Sequence, residues 1–311
     1  MPRKLRFHPD PTLPVEITVR CTQGRFLLRP SPKLNRRIAG ILAYAAMKYG
    51  VKIHAPHVMS NHYGLLLTVP DAATMASFMR LVNQQISVEV GHLHGWTGAM
   101  WEGRYHAITI EDEASQISRL RYSLSNCVKE NLVARVRDWP GLQAAAALID
   151  GTRLEGEWVD RTAMDAAQRR NPSEPVREED FTVPMDLELH PLPCLAQRPH
   201  GQRNALYRRL VKEVEQDAAG ERARTGAAVL GAERVLAMDP HHRPVEVARS
   251  PAPLIHAIAR AAHKLWRTAY RAFADAYRRA ADALRTHRDD CAFPEGCIPP
   301  LHRACAPPAA A

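Results

Sequence analysis

The stretch HVMSNHYGLLLTV, residues 57–69, decides the fold. Ser60-Asn61 is a turn pair, and it separates two β-rich runs, residues 51–58 and 63–69. Side chains alternate along a strand, so His62 and Gly64 face the same way. Toward the amino terminus, residues 15–21 (VEITVRC) alternate and are β-branched, which predicts another strand, and Gln23-Gly24 marks a turn. Residues 31–49 follow as a helix, with Ile38, Ile41, Leu42, Ala45 and Met47 near the helical period and Gly50 at the stop position. Toward the carboxyl terminus, Asp71 caps a helix to about residue 90 whose apolar side is Met75, Phe78, Met79, Val82 and Ile86. A loop with Trp96 and Trp101 leads to a fourth strand at 104–110. Glu111, Asp112 and Glu113 then put negative charge where a helix start favours it. The order β-α-β-β-α-β plus a helix predicts an α+β fold, a ferredoxin-like antiparallel sheet with an added helix, over residues 1–160.

That added helix carries LRYSLSNCVKENLV, residues 120–133. Ile117, Leu120, Leu124 and Val128 form its apolar stripe, while Ser118, Tyr122, Asn126 and Lys129 recur one turn apart on another face. A tyrosine nucleophile titrates near ~10 and needs nearby positive charge. Two histidines at i, i+2 on the facing strand would hold a divalent cation against a phosphate, and Asn126 can reach the same cation. Only His62 is present, because position 64 is glycine. Taken singly, His62, Tyr122 and Asn126 are each ordinary packing or solvated residues; their order on this frame is what carries meaning.

Net charge +9 and a pI near 9.5 favour a polyanionic partner, nucleic acid first. The amino terminus has no apolar core like that of a secretory signal, and the apolar run near residues 39–47 is too short to span a bilayer. A cytoplasmic protein without a membrane partner is expected, with its six cysteines reduced. Residues 161–201, rich in proline and charge, predict an extended connector. Residues 202–311 predict a helical basic region, with helices at 202–217, near 226–238 and at 254–287. In the last, Leu254, Ile258, Leu265, Ala269, Phe273, Ala276 and Leu284 mark an expected core side. His287, Cys291, Cys297, His302 and Cys305 fit no common zinc spacing.

Three blocks, HVMSNHYGLLL, MWEGRYHAITIEDE and LRYSLSNCVKENLVARVRDWPG, resemble the single-tyrosine HUH transposases, in particular the REP-associated tyrosine transposase branch. The resemblance covers residues 1–160. It implies cleavage and joining of single-stranded or hairpin DNA through a 5′-phosphotyrosine link, with magnesium or manganese. It implies Tyr122 as nucleophile and His62 and Asn126 as metal ligands, with Gly64 in place of the second HUH histidine. His54, His57 and Glu102 are the candidates to replace it, and weakened or lost cleavage is the expectation. Phosphate contacts are expected from Arg104, Arg121 and Lys129, and from the basic row Lys264, Arg267 and Arg271. Arg3, Lys4, Arg6 and Arg119 are further cations, and Trp96 and Trp101 could stack bases or pack under their loop. Two readings stay open: a metal-dependent transposase, with a homodimer left undecided, and a non-catalytic single-strand or hairpin DNA binder. An RNA-binding ferredoxin-like domain would leave the Tyr122–Asn126 spacing unexplained.

Overall fold

The computed structural model describes residues 5–245, 252–286 and 292–298. The first elements follow the predicted order: β1 (Val15–Arg20), α1 (Pro32–Tyr49), β2 (Lys52–Met59), β3 (His62–Thr68), α2 (Ala72–His94), β4 (His106–Ile110) and α3 (Glu113–Lys129). Local chemistry sets their ends. Ser31 accepts from the Leu34 amide at 3.2 Å and Asp71 from the Thr74 amide at 2.7 Å, so both act as N-caps. Gly50 closes α1 with φ of 65°, a left-handed geometry that favours glycine.

The sheet runs β2-β3-β1-β4 with antiparallel neighbours, the ferredoxin-like order. One face packs on α1 and α2 through Ile17, Val19, Leu65, Leu67, Ile38, Leu42, Phe78 and Val82. The other packs on α3, with Ala55, Met59 and Leu66 against Leu120, Leu124 and Val128. A bulge at His54 breaks the β2 alternation: Ile53 pairs with Leu67, but Ala55 already pairs with Leu66. Ile53 therefore faces α1 and α2, whereas Ala55, His57 and Met59 face α3.

Residues 161–201 differ from the expected extended connector. After α4 (Ala145–Asp150), β5 (Glu157–Val159) pairs with β6 (Thr182–Pro184), and between them lies α5 (Arg161–Arg170), a full helix capped by Asp160. The β5 backbone lies so close on α1 that a Cβ at Gly40 would overlap the Glu157 backbone. An ion-pair cluster fixes the segment there. Arg161 donates to both oxygens of buried Glu89 at 2.8 and 2.9 Å, and Glu178 receives Arg37 and Lys33 at 2.8 Å each. Proline and charge masked these elements because their stability comes from α1 and α2, not from their own periodicity.

Burial raises the Glu178 carboxyl, but hydrogen bonds from Lys33 and Arg161 and the charge of Arg37 outweigh it and bring the group to about 2. Its folded value lies below the unfolded value of ~4.3. Its contribution is therefore full above about pH 5 and lost as pH falls toward 2. Glu178→Gln should lower the urea midpoint at pH 7, with native and variant converging by about pH 2. A gap that stays constant with pH would refute the assignment.

The carboxyl-terminal elements are α6 (His200–Thr225), α7 (Ala232–Ala237), β7 (Ile255–His256) and α8 (Arg260–Arg285). Helix α6 runs longer than its sequence signal, because Leu206, Leu210, Val214 and Ala218 share one core with α3. Strand β7 was not foreseen; it adds to the sheet beyond β4, in parallel. The expected core side of α8 is corrected in part: Leu265 is 71% and Ile258 70% exposed. The buried side includes Phe273, on that expected side, which is buried and with Trp266 packs on Phe7 at 4.6 and 5.2 Å between centroids. His287, Cys291, His302 and Cys305 lie outside the described residues, as do Arg3 and Lys4. Among the described residues no helix is long and apolar enough to cross a membrane.

Candidate active site

The register of the sheet assembles a polar row beneath α3. His57 on β2 stands opposite Gly64 on β3, and Gly64 opposite Thr18 on β1. One step along, Met59 pairs with His62 and His62 with Arg20; one step the other way, Leu66 pairs with Glu16. Helix α3 crosses this face, and its Ser123 meets His57 from above.

Tyr122 is half-buried, with the Arg119 guanidinium 4.0 Å and the Lys129 ammonium 5.6 Å from its ring centroid. Both cations favour negative charge developing on the phenol oxygen. Arg119 is itself positioned by buried Glu16, which accepts from Nε at 3.0 Å and Nη2 at 2.6 Å. The other Glu16 oxygen meets His256 of β7 at 2.7 Å. Burial raises this carboxyl, but the His256 hydrogen bond and the Arg119 charge bring it below its usual range. Sequence reasoning passed over Glu16 although a signal existed. Val15, Ile17 and Val19 all point to one core, so Glu16, Thr18 and Arg20 form a polar face under α3.

Glu16→Gln should cost about 2 kcal/mol, below the ~3–5 of a fully buried pair because Arg119 keeps some exposure. Urea denaturation measures the loss, and protease cutting near residues 252–259 should rise as β7 loses its anchor. Unchanged stability together with unchanged cutting would mean that Glu16 holds neither partner.

His62 is half-buried, and its Nδ1 lies 2.8 Å from the Asn61 side-chain oxygen. His57 is buried, with Nδ1 2.9 Å from Ser123 Oγ. Desolvation lowers both, His57 to about 4 and His62 to about 3, so both imidazoles are neutral at pH 7. Asn126 is 4% exposed, and its Nδ2 has no hydrogen-bond partner among the described residues. A buried amide without a partner is uncommon and is what a ligand-binding amide would show. His54 does not join the site: its ring nitrogens meet the His190 carbonyl at 3.0 Å and Thr68 Oγ1 at 2.7 Å. The backbone N–H of Glu102 donates to the Arg20 carbonyl at 3.0 Å, which puts its loop at the His62 end of β1.

The expected phosphate contacts divide. Lys129 is exposed beside Tyr122, and Arg104 is exposed before β4. Arg121 is bonded to Asp217, with Glu213 also near, which ties α3 to α6 while its side chain stays 40% exposed. Lys264, Arg267 and Arg271 are exposed on α8, whose buried side packs on Phe7 rather than on α3. Trp101 packs: it stands 5.6 Å from the Tyr63 ring and donates to the Asn83 carbonyl at 3.0 Å. Trp96 lies against His241 at 5.6 Å and under Arg25 at 5.4 Å.

Residues 17–122 match the family of IS200-like transposases. The transposase match begins in β1 one residue after Glu16 and ends on Tyr122 itself, so it spans His57, His62 and Gly64 and about a third of the 311-residue chain. Among solved structures, a REP-associated tyrosine transposase bound to a REP hairpin is 18% identical, with 48% of this chain and 84% of that chain covered, at a TM-score of 0.40. A protein assigned as a transposase from Deinococcus radiodurans R1 is 19% identical, with 35% of this chain and 87% of that chain covered, at a TM-score of 0.28. Among curated proteins none matches the chain.

Proposed function

We propose that this protein cuts and rejoins single-stranded or hairpin DNA with Tyr122 as nucleophile, in the manner of an IS200-like transposase. One observation carries the reading: Tyr122, flanked by Arg119 and Lys129, sits on the helix that faces His62, and Asn126 one turn on is buried with an unpartnered amide. The residues fit a divalent cation, magnesium or manganese, with His62 Nε2 and the Asn126 amide as donors. Such an ion supplies polarisation of the scissile phosphate. The phenol gives up its proton to water as its oxygen attacks phosphorus, the bond to the 3′ oxygen breaks, and the 5′ side stays on Tyr122 as a phosphotyrosine. The freed 3′ oxygen takes a proton from water, and its later attack on the same link reverses the step and rejoins strands. Arg119 and Lys129 stabilise negative charge on the phenol oxygen, while Arg104 and Lys129 provide backbone contacts.

Labelled hairpin oligonucleotides incubated with manganese test this. A denaturant-resistant protein–DNA adduct from the native chain, absent from Tyr122→Phe, is the expected result. Tight binding without any adduct would sink the enzyme reading and favour the alternative, a DNA-binding protein that keeps the fold without the chemistry.

A further inference from the structure

We infer that His57 supplies the second imidazole of the divalent-cation site beside His62, from the strand next to the one that carries Gly64. The two positions are direct cross-strand partners. A Cβ built on Gly64 would overlap the His57 ring, coming within 2.5 Å of Nε2 and 3.1 Å of Nδ1. The His57 imidazole thus fills the space that a side chain at 64 would occupy. Glycine at 64 is what lets it lie there.

The ring orientations suit shared ligation. His57 and His62 have centroids 6.1 Å apart and planes at 80°. Two imidazoles on one ion at ~2.1 Å put their centroids about 5 Å apart, a difference that small side-chain rotations close. Each Nδ1 is engaged, His62 with Asn61 and His57 with Ser123, and neither Nε2 has a hydrogen bond among the described residues. That is how metal-bound histidines are held, with the far nitrogen oriented by a fixed partner. Asn126 lies one turn beyond Ser123 on α3, so helix spacing brings its buried amide to the same face. Which amide atom points inward is an assignment. Turned over, the unpartnered Nδ2 position becomes an oxygen able to bind a cation.

Among the described residues no three His, Cys, Asp or Glu side chains cluster for a metal, so the third donor here is an amide. Two neutral imidazoles and an amide bring no negative charge. The ion is then held weakly by the protein alone and more tightly once a phosphodiester adds its oxygens, and by linkage the ion tightens DNA to the same degree. This inference deepens the proposed reading and rests on it for the phosphodiester alone.

Manganese binding, read by electron paramagnetic resonance on the full chain in the Tyr122→Phe background, separates the two. Pulsed spectra count coordinated imidazole nitrogens. The expected results are two with His57 present and one in His57→Ala, with affinity down at least about tenfold, since losing even a ligand's hydrogen-bond partner costs about 10–100-fold. Gly64→His alone should not add a nitrogen and should lower the unfolding midpoint, because its side chain meets the His57 ring. The double variant His57→Ala/Gly64→His should return to two nitrogens. Adding an uncleaved hairpin oligonucleotide should tighten manganese. A single nitrogen with His57 present, no manganese bound at all, or a His57→Ala spectrum and affinity equal to the parent would each overturn the inference. Two nitrogens together with no Tyr122 adduct in the native chain would leave it standing and remove the proposed reaction instead.

Discussion

Tyr122→Phe will abolish the covalent protein–DNA adduct while leaving DNA affinity and stability almost untouched. The substitution removes one oxygen. No hydrogen bond among the described residues involves that hydroxyl, and the ring keeps Arg119 and Lys129 over it. Stability should therefore stay within about 0.5 kcal/mol, as for other changes away from core and networks. The proposed reaction, by contrast, loses its attacking atom, and a nucleophile's loss lowers rate by on the order of 10⁴ or more. Gel mobility under denaturing conditions measures the adduct, and fluorescence anisotropy the affinity. An adduct of undiminished yield from Tyr122→Phe would place the nucleophile elsewhere. Equal losses of adduct and affinity would make Tyr122 a binding residue instead.

Glu89→Ala carries the largest expected effect on stability. The carboxylate side chain is 3% exposed, and it is shared between Arg161 at 2.8 Å and Arg37 at 3.5 Å, themselves 11% and 5% exposed. Removing it leaves two guanidiniums facing each other out of water. One buried partner lost costs about 3–5 kcal/mol, against a total of about 5–15 for a typical domain. Glu89→Gln keeps hydrogen-bonding capacity but not charge and should lose less. The β5–β6 strand pair and α5 should also become the first region to exchange amide protons, since Arg161 and Glu178 anchor them to α1 and α2. Urea unfolding followed by circular dichroism gives the number. A loss below about 1 kcal/mol would show that Glu178 and Glu157 alone satisfy the two arginines.

Local signals were enough for the first half of the chain. The caps Ser31 and Asp71, the stop at Gly50 and the turn at Ser60-Asn61 are short-range chemistry, and each element formed where these residues place it. The helical spacing that brings Tyr122 and Asn126 to one face is likewise local. What failed were segments whose order depends on distant partners. Residues 161–201 read as an extended connector because α5 and the β5–β6 pair are stabilised by Arg37 and Glu89 rather than by an apolar period of their own. Two residues of β7 were invisible because so short a strand exists only by pairing with β4. The pairing of Arg121 with Asp217 was equally invisible, because Asp217 lies on a helix nearly a hundred positions away.

By itself, then, the sequence determined the strand and helix order, the place of Tyr122 above the sheet and the absence of a side chain at position 64. Only the tertiary structure decided what fills that gap. Counted by simple alternation from Ile53, His57 belongs to the α1–α2 core. The bulge at His54 resets the alternation, and the register with β3 then lays the His57 ring over Gly64. The physical reason is general: alternation is a local property, and one extra residue in a strand inverts every face beyond it. Cross-strand pairing, which brings His57, His62 and Glu16 under α3, depends on register between strands that no local period encodes.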